Sequence, residues 1–179
     1  NIEKEKTIIS CYGRCIEENS MVIMSRILEG KSCAFISDAG TPAVSDPGEY
    51  LVKVCSDAGI DIISVPGPCA AIAALAVSGL PTGRFVFEGF LSRARISRNQ
   101  RLNELKNEKR TIVFYEVSRK LKSTLEDMLS CWGDRNITIV RQITKPDEER
   151  IVLTLSKAVE YFTENSIKGE LVLVVKGAE

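Results

Sequence analysis

The chain has 179 residues, 44% hydrophobic and 27% charged, an ordinary makeup for a globular protein with a proper core. Its 24 Lys and Arg balance 24 Asp and Glu, so the whole molecule is no generic polyanion binder and any nucleic-acid contact must come from a local patch. The absence of histidine excludes serine–histidine hydrolysis and His-ligated metal chemistry, and no apolar run reaches the roughly 18 residues of a membrane span. No metal site is expected. No secretory signal opens the chain, and none of Cys11, Cys15, Cys33, Cys55, Cys69 and Cys131 forms a Cys-x-x-Cys pair. Reduced thiols in a cytoplasmic protein are therefore expected, with Cys33 and Cys55 in core-like settings.

Met21, Met24 and Leu28 share one face of a helix expected over Ile16–Glu29, stopped by Gly30. Cys33–Ser37 reads as a buried strand. Tyr50, Leu51, Val54 and Cys55 stripe a helix that begins near Glu49 and ends at Gly59. Ile60–Val65 reads as a second strand, Pro66-Gly67-Pro68 as a tight turn and Cys69–Val77 as a small-residue helix. This βαβα order predicts a parallel sheet. Two parallel strands alone are marginal, so they either join strands from the second half or lack a preceding segment. Ser78–Gly83 is the candidate linker. Beyond it, strands are expected at Phe85–Glu88, Thr111–Tyr115, Asn136–Arg141, Arg150–Leu155 and Glu170–Val175. Leu121, Leu125, Met128 and Leu129 define a helix face, and Ser156 is a candidate cap for a helix through Glu164. The fold class is α/β, with two α/β domains, 1–80 and 81–179.

The richest stretch is Ser37-Asp38-Ala39-Gly40-Thr41-Pro42-Ala43-Val44-Ser45-Asp46-Pro47-Gly48. It sits at a strand-to-helix junction, where open α/β sheets hold ligands. Two glycines allow close backbone approach to a ligand, and two prolines leave little entropy to lose on binding.

That loop resembles the signature of the ribosomal RNA small-subunit methyltransferase I family, within the tetrapyrrole methylase superfamily. Further matching motifs follow in order: Val65–Pro68, Ser78–Pro81, Phe87–Leu91, Phe114-Tyr115-Glu116, Arg141–Glu149 and Gly169-Glu170. The family's opening strand and Gly-Thr-Pro loop have no counterpart, and a chain lacking its first segment is expected. Relatives carry histidine where this chain reads Ser10–Arg14, and Ser-Pro-His-Arg where it reads Val117–Lys120.

The resemblance implies two domains of the tetrapyrrole methylase type with S-adenosylmethionine in the cleft between them, usually in a homodimer. It implies methyl transfer to a cytidine ribose 2'-hydroxyl of 16S ribosomal RNA in the small subunit. By superfamily correspondence Gly40, Thr41 and Val44 lie along the cofactor, with Asp38 in the same loop. Cys69 and Ala70 offer backbone groups at a helix start suited to a carboxylate. Tyr115, Val140 and Leu171 are the matching positions in the second domain. For the acceptor proton, Glu88, Glu116 and Lys145 lie in family motifs and Asp38 and Asp46 are alternatives, with no single base named.

Phe90, Arg93, Arg95, Arg98 and Arg101 suit RNA bases and phosphates, and Lys106, Lys109 and Arg110 extend the basic stretch against Glu104 and Glu108. A solvated helix face is the competing interpretation. The alternative functions are a precorrin-type tetrapyrrole or diphthine-type methyltransferase, or a fragment that only binds ligand or dimerises.

Overall fold

The computed structural model describes residues 7–179; the polar opening 1–6 lies outside the described residues. The chain divides into two compact units at Pro68/Cys69.

In the first unit a short 3-10 turn, Gly13–Cys15, runs into α1 (Ile16–Leu28), and α2 spans Glu49–Asp57. α2 follows the apolar stripe read above, but α1 does not: Met21 and Leu28 are exposed, and the face that packs carries Ile16, Ile23, Met24 and Ile27. The contact between the two helices buries Cys11, Ile23, Leu51 and Cys55, with Phe35, Val54 and Ile60 packed around them. Each fully buried side chain of Leu or Ile size contributes about 1.5–3 kcal/mol, so this four-residue core is a modest one.

The strands expected at Cys33–Ser37 and Ile60–Val65 do not form. A strand exists by its pairing, and among the described residues neither segment has a ladder partner. Ile36, Ile63 and Val65 are 83–86% exposed. Cys33 is exposed rather than core-like, whereas Cys55 is buried as expected. The parallel sheet expected in the first half is therefore not built from these segments.

The second unit holds a five-stranded sheet in the order β1-β2-β5-β3-β4. The strands are β1 (Phe85–Phe90), β2 (Thr111–Val117), β3 (Asn136–Arg141), β4 (Glu149–Thr154) and β5 (Glu170–Val175). β1 and β2 are parallel and every other pairing is antiparallel. The two strands flanking the centre and the central strand itself are near-continuous apolar runs, as burial on both faces requires.

Helices α4 (Arg95–Glu104), α5 (Ser118–Trp132) and α6 (Leu155–Glu164) cover one face, with Ile112, Phe114, Ile137, Ile139, Leu171 and Leu173 beneath them. The opposite face carries α3 (Ala70–Val77), which seats Ala71, Ala74 and Leu75 on Val113, Val140, Val172 and Val174. Small side chains let this helix lie close to the sheet. α3, read from sequence with the first domain, thus packs with the second unit. The Ser78 carbonyl ties its end to the sheet by accepting from the Thr138 hydroxyl at 2.8 Å. Thr154, not Ser156, caps α6: its side chain accepts from the Lys157 amide, while Ser156 bonds Asp134.

Candidate cofactor site

The 37–48 loop is held in an unusual shape by its own bonds. Ser37 Oγ donates to the Gly40 carbonyl at 2.9 Å, and the Ala43 amide donates to the Pro47 carbonyl at 3.2 Å. Thr41 Oγ1 donates to the Pro68 carbonyl at 3.0 Å, joining the loop to the Pro66–Pro68 turn. Gly40, Ala43, Ser45 and Gly48 all have positive φ. For Ala43 and Ser45 this conformation is strained, and such strain collects at ligand clamps. A side chain at Gly48 would be strained at φ +128 and would have to displace the Phe35 ring, which lies 2.6 Å from where its Cβ would stand. Asp38 and Val44 remain exposed on the loop.

In the second unit, Tyr115 stands at the end of β2 on the α3 face. Its hydroxyl accepts from the Ala71 amide at 3.2 Å and lies 4.0 Å from Cys69 Sγ. The first intrahelical bond of α3 runs from the Ala73 amide to the Cys69 carbonyl, so the Ala70 and Ile72 amides precede the ladder. Phe87 and Phe90 pack on the Tyr115 ring at centroid distances of 5.1 and 5.4 Å. Burial, then the neighbouring Cys69, pushes the Tyr115 phenol up against the opposing pull of the Ala71 amide, and it stays a neutral hydroxyl at physiological pH.

Tyr115, Cys69 and Val140 therefore share one face of the second unit, with Ala70 exposed at the same helix start. Leu171 does not join them, because its side chain packs under the three helices on the opposite face. Val172 takes the α3-side position, together with Phe87 and Ile143. Strand alternation about Val140 and Tyr115 is the signal that selects Val172 over Leu171.

The three proton-handling candidates have different surroundings. Between Phe87 and Gly89 the β1–β2 register slips, and Glu88 at that bulge receives Arg101 Nε and Nη2, both at 2.8 Å. Glu116 is buried on the helix-covered face, where it accepts from the Thr124 hydroxyl at 2.6 Å and the Val117 amide at 2.8 Å. Lys145 is about half exposed, 3.2 Å from Gln142 Oε1 and 3.3 Å from Glu170 Oε2. Its loop contains Gln142 and Thr144, both at positive φ.

The arginines also divide. Arg98 is buried and donates twice to Asp127 Oδ2, at 2.8 and 2.6 Å. Arg101 bridges Glu88 and Glu104. Arg93 is exposed, and Arg95 keeps a largely exposed guanidinium that touches Asp127 at 3.1 Å. Phe90 is 55% exposed.

Known proteins resemble this chain in both sequence and fold. The sequence profile of the Tetrapyrrole (Corrin/Porphyrin) Methylases matches residues 4–159. The chain is 41% identical over 175 residues to the ribosomal RNA small subunit methyltransferase I of Thermotoga maritima, covering 98% of this chain and 78% of that protein. It is 47% identical to the protein of the same name from Synechocystis sp. over 157 residues, covering 87% of this chain and 56% of that one.

The chain thus spans about half the length of some of the curated relatives it matches. Among solved structures, the methyltransferase CobJ superposes with a TM-score of 0.68 at 22% identity, covering 90% of this chain and 71% of that one. A uroporphyrin-III C-methyl transferase from Thermus thermophilus complexed with S-adenyl homocysteine superposes with a TM-score of 0.63 at 17% identity, covering 92% and 74%. The chain has the tetrapyrrole methylase fold. It belongs to the tetrapyrrole methylases and, within them, to the ribosomal RNA small subunit methyltransferase I family.

Proposed function

We propose that this chain carries the S-adenosylmethionine site of a methyltransferase acting on the 2'-hydroxyl of a cytidine in 16S ribosomal RNA. The supporting observation is the Tyr115–Ala71 junction, where a neutral phenol, unpaired helix amides and an apolar wall meet. These groups fit the cofactor: the Ala70 and Ile72 amides would hold its carboxylate, and the half-buried Tyr115 ring its adenosyl portion, with Val140 and Val172 packed beneath α3 as the support behind that ring. In the first unit, Gly40 and Thr41 would present backbone and hydroxyl groups, with Val44 and Asp38 beside them.

The bound cofactor supplies a sulfonium-activated methyl group. The protein's task is then orientation and proton removal, since the donor carbon is already reactive. Of the three motif residues, Lys145 alone combines exposure with loose partners, and it would hold the acceptor oxygen or take its proton, with the exposed Asp38 the alternative group for the proton. Glu88 and Glu116 would act as supports, because Arg101 and Thr124 occupy them. Arg93, Arg95 and Phe90 are the groups open to RNA, with Arg98 and Arg101 fixing the helix that carries Arg95. The homodimer and a cytoplasmic location belong to this proposal as well.

Titration calorimetry with S-adenosylmethionine tests the cofactor site. Saturable binding is expected, and Thr41→Asp should weaken it about tenfold or more by aiming a carboxylate at the Pro68 carbonyl and removing the donated bond. Absence of binding heat together with no competition by S-adenosylhomocysteine would remove the assignment.

A further inference from the structure

At the opposite end of β1 and β2 from Phe90 and Tyr115 lies an open cavity of about 740 Å³. Its lining includes Pro81, Arg84, Asn107, Glu108, Lys109 and Arg110. Along β2 it is about 13 Å from Tyr115, at about 3.3 Å per residue. Three cations face one carboxylate there. Glu108 engages Arg110 alone, at 2.7 and 2.8 Å, and that contact with the added Arg110 amide holds its carboxyl down to about 2. Among the described residues, Arg84 and Lys109 have no ion-pair partner, and both are exposed.

The cavity's rim is pinned on both sides. Thr111 Oγ1 donates to the Pro81 carbonyl at 2.6 Å, and the Ala178 amide donates to the Glu108 carbonyl at 2.7 Å. Gly177 packs so closely on Lys109 that a side chain there would collide with its backbone. Two unneutralised cations on a rim whose backbone is fixed make a seat for anions in which only the two side chains remain to be ordered. The neutral balance of the whole chain makes this local excess distinctive.

We infer that this cavity is a second RNA-contact site, remote from the methyl-transfer end, in which Arg84 and Lys109 seat backbone phosphates. The inference rests on the RNA-methyltransferase reading and extends it to how the RNA is gripped. Phosphate contacts position the substrate without reading its sequence.

The test uses fluorescence anisotropy with a fluorescein-labelled oligocytidine RNA, over about 50 to 200 mM KCl. Replacing both cations, Arg84→Gln with Lys109→Gln, should weaken binding about 10- to 25-fold near 0.1 M salt and reduce the logarithmic salt slope by about 1.4, the value for two phosphates on a single strand. Asn107→Lys should strengthen binding about fivefold by adding one contact. Lys122→Gln with Lys157→Gln, exposed lysines on α5 and α6, is the charge-matched control and should leave both quantities near those of the unchanged chain. Retained S-adenosylmethionine affinity in the Arg84/Lys109 variant shows that the fold persists. An unchanged affinity and slope in that variant, or an equal loss in the control, overturns this site and leaves the methyltransferase reading standing. No RNA binding by the unchanged chain overturns both.

Discussion

Asp127→Ala is expected to lower the unfolding free energy by about 3–5 kcal/mol, because it strands the Arg98 guanidinium without a counter-charge inside the protein. Both groups are at most 6% exposed, and Asp127 accepts from Arg95 as well. The pair is the clamp between α4 and α5. The nearby Trp132, the chain's single tryptophan, donates to the Leu102 carbonyl at 2.7 Å, so its fluorescence reports α4 docking during urea unfolding. The double change Asp127→Leu with Arg98→Met should cost much less than the single one, since it removes both charges together. A loss below about 1 kcal/mol for Asp127→Ala would show that apolar contacts alone seat α4.

Tyr115→Ala is the second large effect. It removes a half-buried ring packed on Phe87 and Phe90 and strips the Ala71 amide of its acceptor. A stability loss of about 2–3 kcal/mol is expected, smaller than for a fully buried aromatic. S-adenosylmethionine affinity should fall more than tenfold by calorimetry, since the wall and the geometry of the helix start are lost together. Tyr115→Phe keeps the ring and gives up one hydrogen bond, so its cost should be only about 1 kcal/mol. If Tyr115→Ala stays folded and binds the cofactor as tightly as before, the α3 face is not the cofactor's wall.

Much of the second unit was legible residue by residue. β3 and β5 occupy Asn136–Arg141 and Glu170–Val175 as read, because apolar runs bounded by polar residues define central strands with few alternatives. α2 followed from its stripe and the glycine behind it, whereas α1 has the expected extent but buries Ile23 rather than Met21 and Leu28, because Ile16, Ile23 and Ile27 form a competing apolar face.

The segments 33–37 and 60–65 misled because composition reports that a stretch would suit a strand, not that a partner is present. Arg98 misled for a different reason. Its environment in sequence is basic and polar, and the carboxylate that buries it lies 29 residues away on another helix. Leu171 and Val172 are equally apolar, and only the register against Tyr115 and Val140 assigns them to opposite faces. The slip at Glu88 changes which way a motif carboxylate points, and the one local sign of it is Gly89, whose positive φ lies at the bulge.

The most direct measurement is transfer of a labelled methyl group from S-adenosylmethionine to purified small ribosomal subunits, followed by alkaline hydrolysis and mapping of the RNA. The proposed chemistry predicts label in RNA at a single cytidine whose 3' linkage resists alkali, with incorporation reduced by Lys145→Ala. Label on a base, label only in protein, or cofactor binding with no transfer to RNA would contradict it.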